Sequence, residues 1–160
     1  MLLVRVHHKP DWVWIKDRDA TNNHEVHDAI RGVNYQLYPN LTNAQTNAAN
    51  HLTAFGTDGF TVNGNSATGA NGDTYASWNW KANGAGSSNS DGSVTSTVSV
   101  NTTAGFSIAK YTGTGSNLTF GHGLGAIPDW FMIKNLSVGQ AWRVYHRSMT
   151  LSDPYSKRMV

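Results

Sequence analysis

Apolar and polar residues alternate in short runs along this chain, with Gly, Asn, Pro and Ser between the runs. That pattern predicts strands rather than helices. Leu2 to His7 alternates weakly, and Trp12 to Lys16 is a clear strand bounded by Pro10 and a polar Asp17–Asn23 loop. Glu25 to Ile30 follows as its hairpin partner, and Asn34 to Tyr38 is stopped by Pro39. Residues 43–50 carry no apolar face and predict a loop or one helical turn. Leu52–Phe55 and Gly59–Val62 flank a Thr57-Asp58-Gly59 turn. The strongest alternation is Thr74 to Lys81, with Tyr75, Ser77, Asn79 and Lys81 on one face and Ala76, Trp78 and Trp80 on the other. Beyond a small-residue stretch at 82–91 come Val94 to Val100, Phe106 to Thr112, Leu118 to Phe120, Trp130 to Lys134 and Trp142 to His146. No ten-residue window has helical periodicity. The expected fold is all-β, a jelly-roll or lectin-like antiparallel β-sandwich.

Two of these strands are copies. Pro10-Asp-Trp-Val-Trp-Ile-Lys16 returns as Pro128-Asp-Trp-Phe-Met-Ile-Lys134, 118 positions later with five of seven residues identical. At the same offset Glu25-Val26-His27-Asp28 falls on Arg143-Val144-Tyr145-His146, keeping the valine. A long repeat at one register means a duplicated structural unit. The expected organisation is a first, diverged unit over 1–85, a small-residue connector over 86–105, and the start of a second unit over 106–160. The chain is then either a piece of a longer array or one permuted sandwich that the second copy's strands complete.

Composition narrows the class. Charged residues are 14% of the chain, against roughly 25% in an ordinary globular domain, and Asn, Gly, Ser and Thr fill their place. Six Trp, six Tyr and five Phe are enough for a packed core. The tryptophans, isoleucines and phenylalanine at Trp12, Ile15, Trp78, Trp80, Phe106, Ile108, Trp130 and Ile133 are the expected core. A net charge of +2 without a Lys/Arg cluster argues against nucleic acid. The absence of cysteine removes disulfides and thiolate metal sites. No apolar run is long enough to suggest membrane insertion.

Chemistry is sparse. The Pro-Asp-Trp motif reads as architecture: a proline at strand entry, a capping Asp and a packed Trp. His24 and His27 are three apart and face opposite sides of a strand, so no metal site is expected. Glu25 is the single glutamate and lacks the acidic neighbours that glycoside hydrolysis uses. No catalytic residue and no cofactor are assigned. Trp78 and Trp80 could stack on a sugar, yet a shared tryptophan face in a sandwich reads first as core. The candidate ligand contacts are Trp142, Tyr145, His122 in its glycine corner, and Asn22, together with polar loop positions at 63–71 and Asp91.

The run Thr74-Tyr-Ala-Ser-Trp-Asn-Trp-Lys81, then Asp91-Gly-Ser-Val94, Phe106-Ser-Ile108, Gly121-His-Gly-Leu-Gly125, Pro128-Asp-Trp-Phe-Met-Ile-Lys-Asn135 and Trp142-Arg-Val-Tyr-His146 resembles a repeated domain of structural proteins in marine tailed bacteriophages. The resemblance covers about 74–148, with 10–70 as a diverged copy. It implies a lectin-type sandwich in a tail fibre or other virion surface protein, and brings no catalytic motif. The expected function is therefore a non-enzymatic virion module located on the particle surface. Its expected partners are its own copies or other virion proteins, and a host surface glycan. The alternative is a carbohydrate-active enzyme, such as a polysaccharide depolymerase, or its accessory carbohydrate-binding module.

Overall fold

The computed structural model describes residues 1–149 and the short strand at 158–159. Fourteen strands and no helix are found among them: β1 (Leu2–Arg5), β2 (Trp12–Asp17), β3 (Glu25–Asp28), β4 (Tyr35–Gln36), β5 (Thr46–Asn47), β6 (Leu52–Gly56), β7 (Gly59–Val62), β8 (Tyr75–Trp80), β9 (Ser87–Asn89), β10 (Ser96–Asn101), β11 (Phe106–Tyr111), β12 (Trp130–Ile133), β13 (Trp142–His146) and β14 (Arg158–Met159). They form sheets in the orders β1-β7-β6, β3-β2-β8, β9-β10-β11 and β12-β13-β14, plus the small β4-β5 pair. All named pairings are antiparallel. The fold is all-β, as the alternation predicts.

Strand β2 sits at the centre. One of its faces carries Val13 and Ile15, which pack with Leu52, Phe60 and Val62 from β6 and β7 to form the main core. Val4, Val6, Val33, Phe55 and Tyr75 close its edges. The sheets β3-β2-β8 and β1-β7-β6 thus face each other as a sandwich. At the β6–β7 turn the chains come close: a Cβ on Gly59 would lie 1.9 Å from the Val4 carbonyl oxygen, so β1 pairs here only because the residue is glycine.

The opposite face of β2 carries Trp12 and Trp14. These pack beside Val26, Leu37 and Trp142, with Met132 and Leu136 from the second-copy hairpin. Trp142 is 2% exposed, and its indole N–H donates to the Tyr38 carbonyl at 2.9 Å.

The duplication is visible residue by residue. In the first hairpin Trp12 pairs with Asp28, Val13 with His27, Trp14 with Val26 and Ile15 with Glu25. In the second, Trp130 pairs with His146, Phe131 with Tyr145, Met132 with Val144 and Ile133 with Arg143. Each pair is the first copy's pair moved by 118 positions. The loops repeat too. Asp17 Oδ1 accepts the N–H groups of Asp19 and Ala20 at 2.8 and 3.2 Å, and Asn135 Oδ1 accepts those of Ser137 and Val138 at 2.9 and 3.1 Å. Ala29 N–H donates to the Asp11 carbonyl, and Arg147 N–H to that of Asp129.

Several expectations need correction. Of the eight expected core residues only Ile15 is fully buried; Trp12, Phe106, Ile108 and Ile133 are half-buried. Trp78, Trp80 and Trp130 are exposed at 46%, 40% and 47%. The cause is that β2 is apolar on both faces, and the sandwich closes over the aliphatic one. The β8 face that looks inward is therefore the Tyr75, Ser77, Asn79 face, because these residues pair with Asp17, Ile15 and Val13. The segments 43–50 and 82–91 each contain a short strand, β5 and β9. Leu118–Phe120 is not a strand; it contributes one bridge, Phe120 to Gly92.

Two outcomes follow from this packing. Phe60→Ala should destabilise the domain by about 3–5 kcal/mol, the cost of a large core truncation. Trp80→Ala should cost about 1 kcal/mol, mostly its stacking on Phe106. Denaturant unfolding of the two variants measures both. The second concerns acid. Hydrogen bonds from the Asp19 backbone, first, and from Asn22 and Ala20 hold the Asp17 carboxyl below its usual range. A depressed folded pKa contributes stability above the unfolded value, near pH 4, and that stability disappears as pH falls toward the folded one. Asp17→Asn, which copies Asn135 of the second hairpin, should fold normally. The stability gap between wild type and this variant should be constant at neutral pH and shrink below about pH 4.

Candidate functional site

The outward face of β2 and β8 is a sheet of indoles. Antiparallel pairing puts Trp12 opposite Trp80 and Trp14 opposite Trp78, and directly opposed residues share a face. Four tryptophans therefore form one patch on a rigid sheet. Trp14 and Trp78 meet edge to face at 5.9 Å between centroids, while Trp80 lies nearly flat on Phe106 at 6.0 Å and 22°. Phe106 also meets Trp12 edge-on at 6.4 Å. The β12–β13 hairpin covers the β3 side of this face, and β11 covers its Trp12–Trp80 end. What stays open is the outer strand, with the rings of Trp78 and Trp80.

The inner ring is fixed by His24. Trp14 Nε1 donates to His24 Nδ1 at 2.9 Å, and the two rings meet at 5.8 Å. An accepting Nδ1 places the histidine proton on Nε2 in the neutral ring. Burial, with a smaller contribution from Lys16, pushes the His24 pKa below its usual value and favours that neutral form. The patch thus combines an apolar floor with an imidazole at its rim. Such a surface stacks on the C–H face of a flat apolar ligand at little entropic cost, since indoles have only two side-chain torsions.

The buried carboxylates are engaged elsewhere. Asp11, buried at strand entry, accepts the Ala82 N–H at 2.8 Å. Asp28 is paired with Arg31 inside the protein. Glu25 lies between the sheets, within 2.9 Å of His51 Nδ1 and 3.2 Å of His27 Nε2. His27 is fully buried as well. This Glu-His-His cluster joins β3 to the loop before β6 and acts as a polar bolt between layers. His24 and His27 point to opposite faces, one to Trp14 and the other to Glu25.

The ligand-contact candidates from the sequence are scattered. Trp142 is in the core and offers no free ring face. Tyr145 stacks on Phe131 at 4.9 Å, on the second hairpin. His122 accepts the Leu124 N–H at 3.2 Å, closing its glycine corner. Asn22 donates to Asp17 Oδ2 at 2.8 Å and to the Ser66 carbonyl at 3.1 Å, tying two loops together. Loop residues Asn63, Gly64 and Asn65, with Asn50, line a shallow open depression. Of these four candidates only Trp142 touches the indole patch, and it does so from the buried side, against Trp12 and Trp14. The signal for the patch was in the sequence: Trp12-Val-Trp14 and Trp78-Asn-Trp80 each place two tryptophans on one strand face.

No curated protein and no solved structure matches the chain. One family model does, over residues 2–158, which takes in both copies of the Pro-Asp-Trp hairpin and all the indoles of the patch. On that match the chain belongs to the family described as a domain of unknown function, DUF7483.

Proposed function

We propose that this domain is a non-enzymatic surface module of a bacteriophage particle, a tail-fibre or appendage element that contacts a host glycan through Trp78 and Trp80. The observation that carries the reading is the pair of exposed indoles on β8, braced from beside by Trp14 and Phe106 and from behind by the sandwich core. Large apolar rings left open on a rigid sheet mark an interaction surface. A sugar is the ligand class that suits them: its C–H faces stack on indoles, and its hydroxyls find His24 at the rim. Low net charge suits a neutral ligand better than a phosphate backbone.

The virion assignment rests on the resemblance of residues 74–148 to phage structural domains, and the lectin-like reading of the sandwich rests on the same ground. The engaged state of Asp11, Asp17, Asp28 and Glu25 favours binding over hydrolysis, because glycoside hydrolysis uses two carboxyl groups facing one bond. The depolymerase alternative gains no observation of its own.

A glycan array of bacterial surface polysaccharides, probed with the purified domain, tests the ligand. Binding should be lost by roughly tenfold or more in Trp78→Ala and in Trp80→Ala, with thermal unfolding little changed. Undiminished binding by both variants would remove the indole patch from the reading. Release of new reducing ends from a bound polysaccharide would favour the enzyme instead. Mass spectrometry of purified particles tests the location.

A further inference from the structure

The two copies of the hairpin differ at one edge. Strand β2 is paired on both sides, by β3 and by β8. Strand β12 has the same register with β13 that β2 has with β3, yet among the described residues no strand pairs with its other side. Its side chains show the difference: Trp130 is 47% exposed and Phe131 39%, where Val13, the equivalent of Phe131, is fully buried. Phe131 is stacked on Tyr145, so this half of the sheet is ordered and apolar while lying open. An unpaired strand edge with exposed rings is a template for another strand.

The first copy shows what such an edge receives. The β8 strand lies antiparallel on β2 with Trp80 opposite Trp12 and Trp78 opposite Trp14. Its end is fastened by Asp11, whose N–H donates to the Trp80 carbonyl at 2.8 Å and whose Oδ2 accepts the Ala82 N–H at 2.8 Å. The equivalent of Asp11 is Asp129. Its carboxylate is exposed and, among the described residues, meets the exposed Arg147 side chain, at 2.8 Å. Continuing the β2–β8 register by two residues brings the N–H at the position of Ala82 to this aspartate, the hydrogen bond that Asp11 makes in the first copy.

We infer that the free edge of β12 is a strand-acceptor site. Its occupant is a β8-type segment of another chain: extended, antiparallel, with tryptophans at alternate positions opposite Trp130 and Met132. Binding continues the β12-β13-β14 sheet by one strand, as β8 continues β3-β2. Main-chain hydrogen bonds supply the affinity, and the alternating indoles set the register together with the aspartate, whose carboxylate takes the N–H two residues beyond the second tryptophan as Asp11 takes that of Ala82. The site is distinct from the indole face of β8 and does not depend on sugar binding there.

The test is titration calorimetry of the full chain with a synthetic peptide of residues 74–82, together with amide hydrogen exchange. The expected result is one-to-one binding that slows exchange in residues 129–134. A peptide with serine at both tryptophan positions should bind roughly tenfold more weakly. In the protein, Trp130→Ser and Asp129→Ala change exposed side chains, so each should weaken the peptide several-fold while thermal unfolding is retained. Absence of binding overturns the inference. So does protection confined to residues 11–17, which would mean that the peptide displaces β8 from β2, and so does unchanged affinity in Trp130→Ser. Because no glycan is present, these results are independent of the array experiment.

Discussion

The structure depends on the burial of Val13 and Ile15 against Leu52, Phe60 and Val62. Those five side chains join two sheets whose strands are four to six residues long, and each side chain contributes roughly 1.5–3 kcal/mol when fully buried. The hydrogen bonds of β2 to β3 and β8 then fall inside the protein, where they are shielded from water. Sheets this short are marginal alone. Seating β2 between two neighbours also fixes its outward face, so the same packing event that makes the core presents Trp12 and Trp14 to the other side.

Polar groups complete what the short core leaves undone. Asp17 and Asn135 perform the same task at equivalent loops, one as a carboxylate and one as an amide. The function they share is acceptance of two backbone N–H groups, and charge is incidental to it. Asp11, Asp28 and Glu25 are buried with donors on hand. Each would be costly without its partner. That is why a chain with few charges places several of them inside.

The class and the longer strands were legible in the sequence because period-two alternation and the turn residues between runs report directly on pleat and loop, whereas the short β5 and β9, built from small and polar residues, carry no such alternation. The duplication was legible to the residue, and its 118-residue offset holds for pairings, caps and loop contacts alike. The burial of the tryptophans was not. Period two says that Trp12 and Trp14 share a face, and that Val13 and Ile15 share the other. It does not say which face another sheet will cover: the expected core took Trp12 and Ile15 from both faces of β2 and the shared Trp78–Trp80 face of β8, and the sandwich closes over Ile15 and leaves the β8 indoles outside. Trp142 shows the converse. It was a candidate for ligand contact as an aromatic ring able to stack on a sugar, whereas Leu37, Val26 and the Tyr38 carbonyl, all distant in sequence, enclose it.

The comparison of the two copies separates what a strand's own sequence determines from what its neighbours determine. Trp12 and Trp130 share residue type, register and a preceding Pro-Asp, and so do Ile15 and Ile133 apart from that entry. Local sequence reproduces the hairpin in both places, including the hydrogen bond from the residue after β3 or β13 back to the aspartate. Burial is not reproduced: Ile15 is enclosed by β6 and β7, whereas Ile133, with no equivalent layer over it among the described residues, is half-buried. Pairing and capping are therefore encoded within some twenty residues, while burial requires the third strand and the second sheet. The second hairpin is held instead from its Met132 and Trp142 side, which packs on the outer face of the first sheet, and from β14 beyond β13, so Trp130 and Phe131 keep a fixed geometry while staying open.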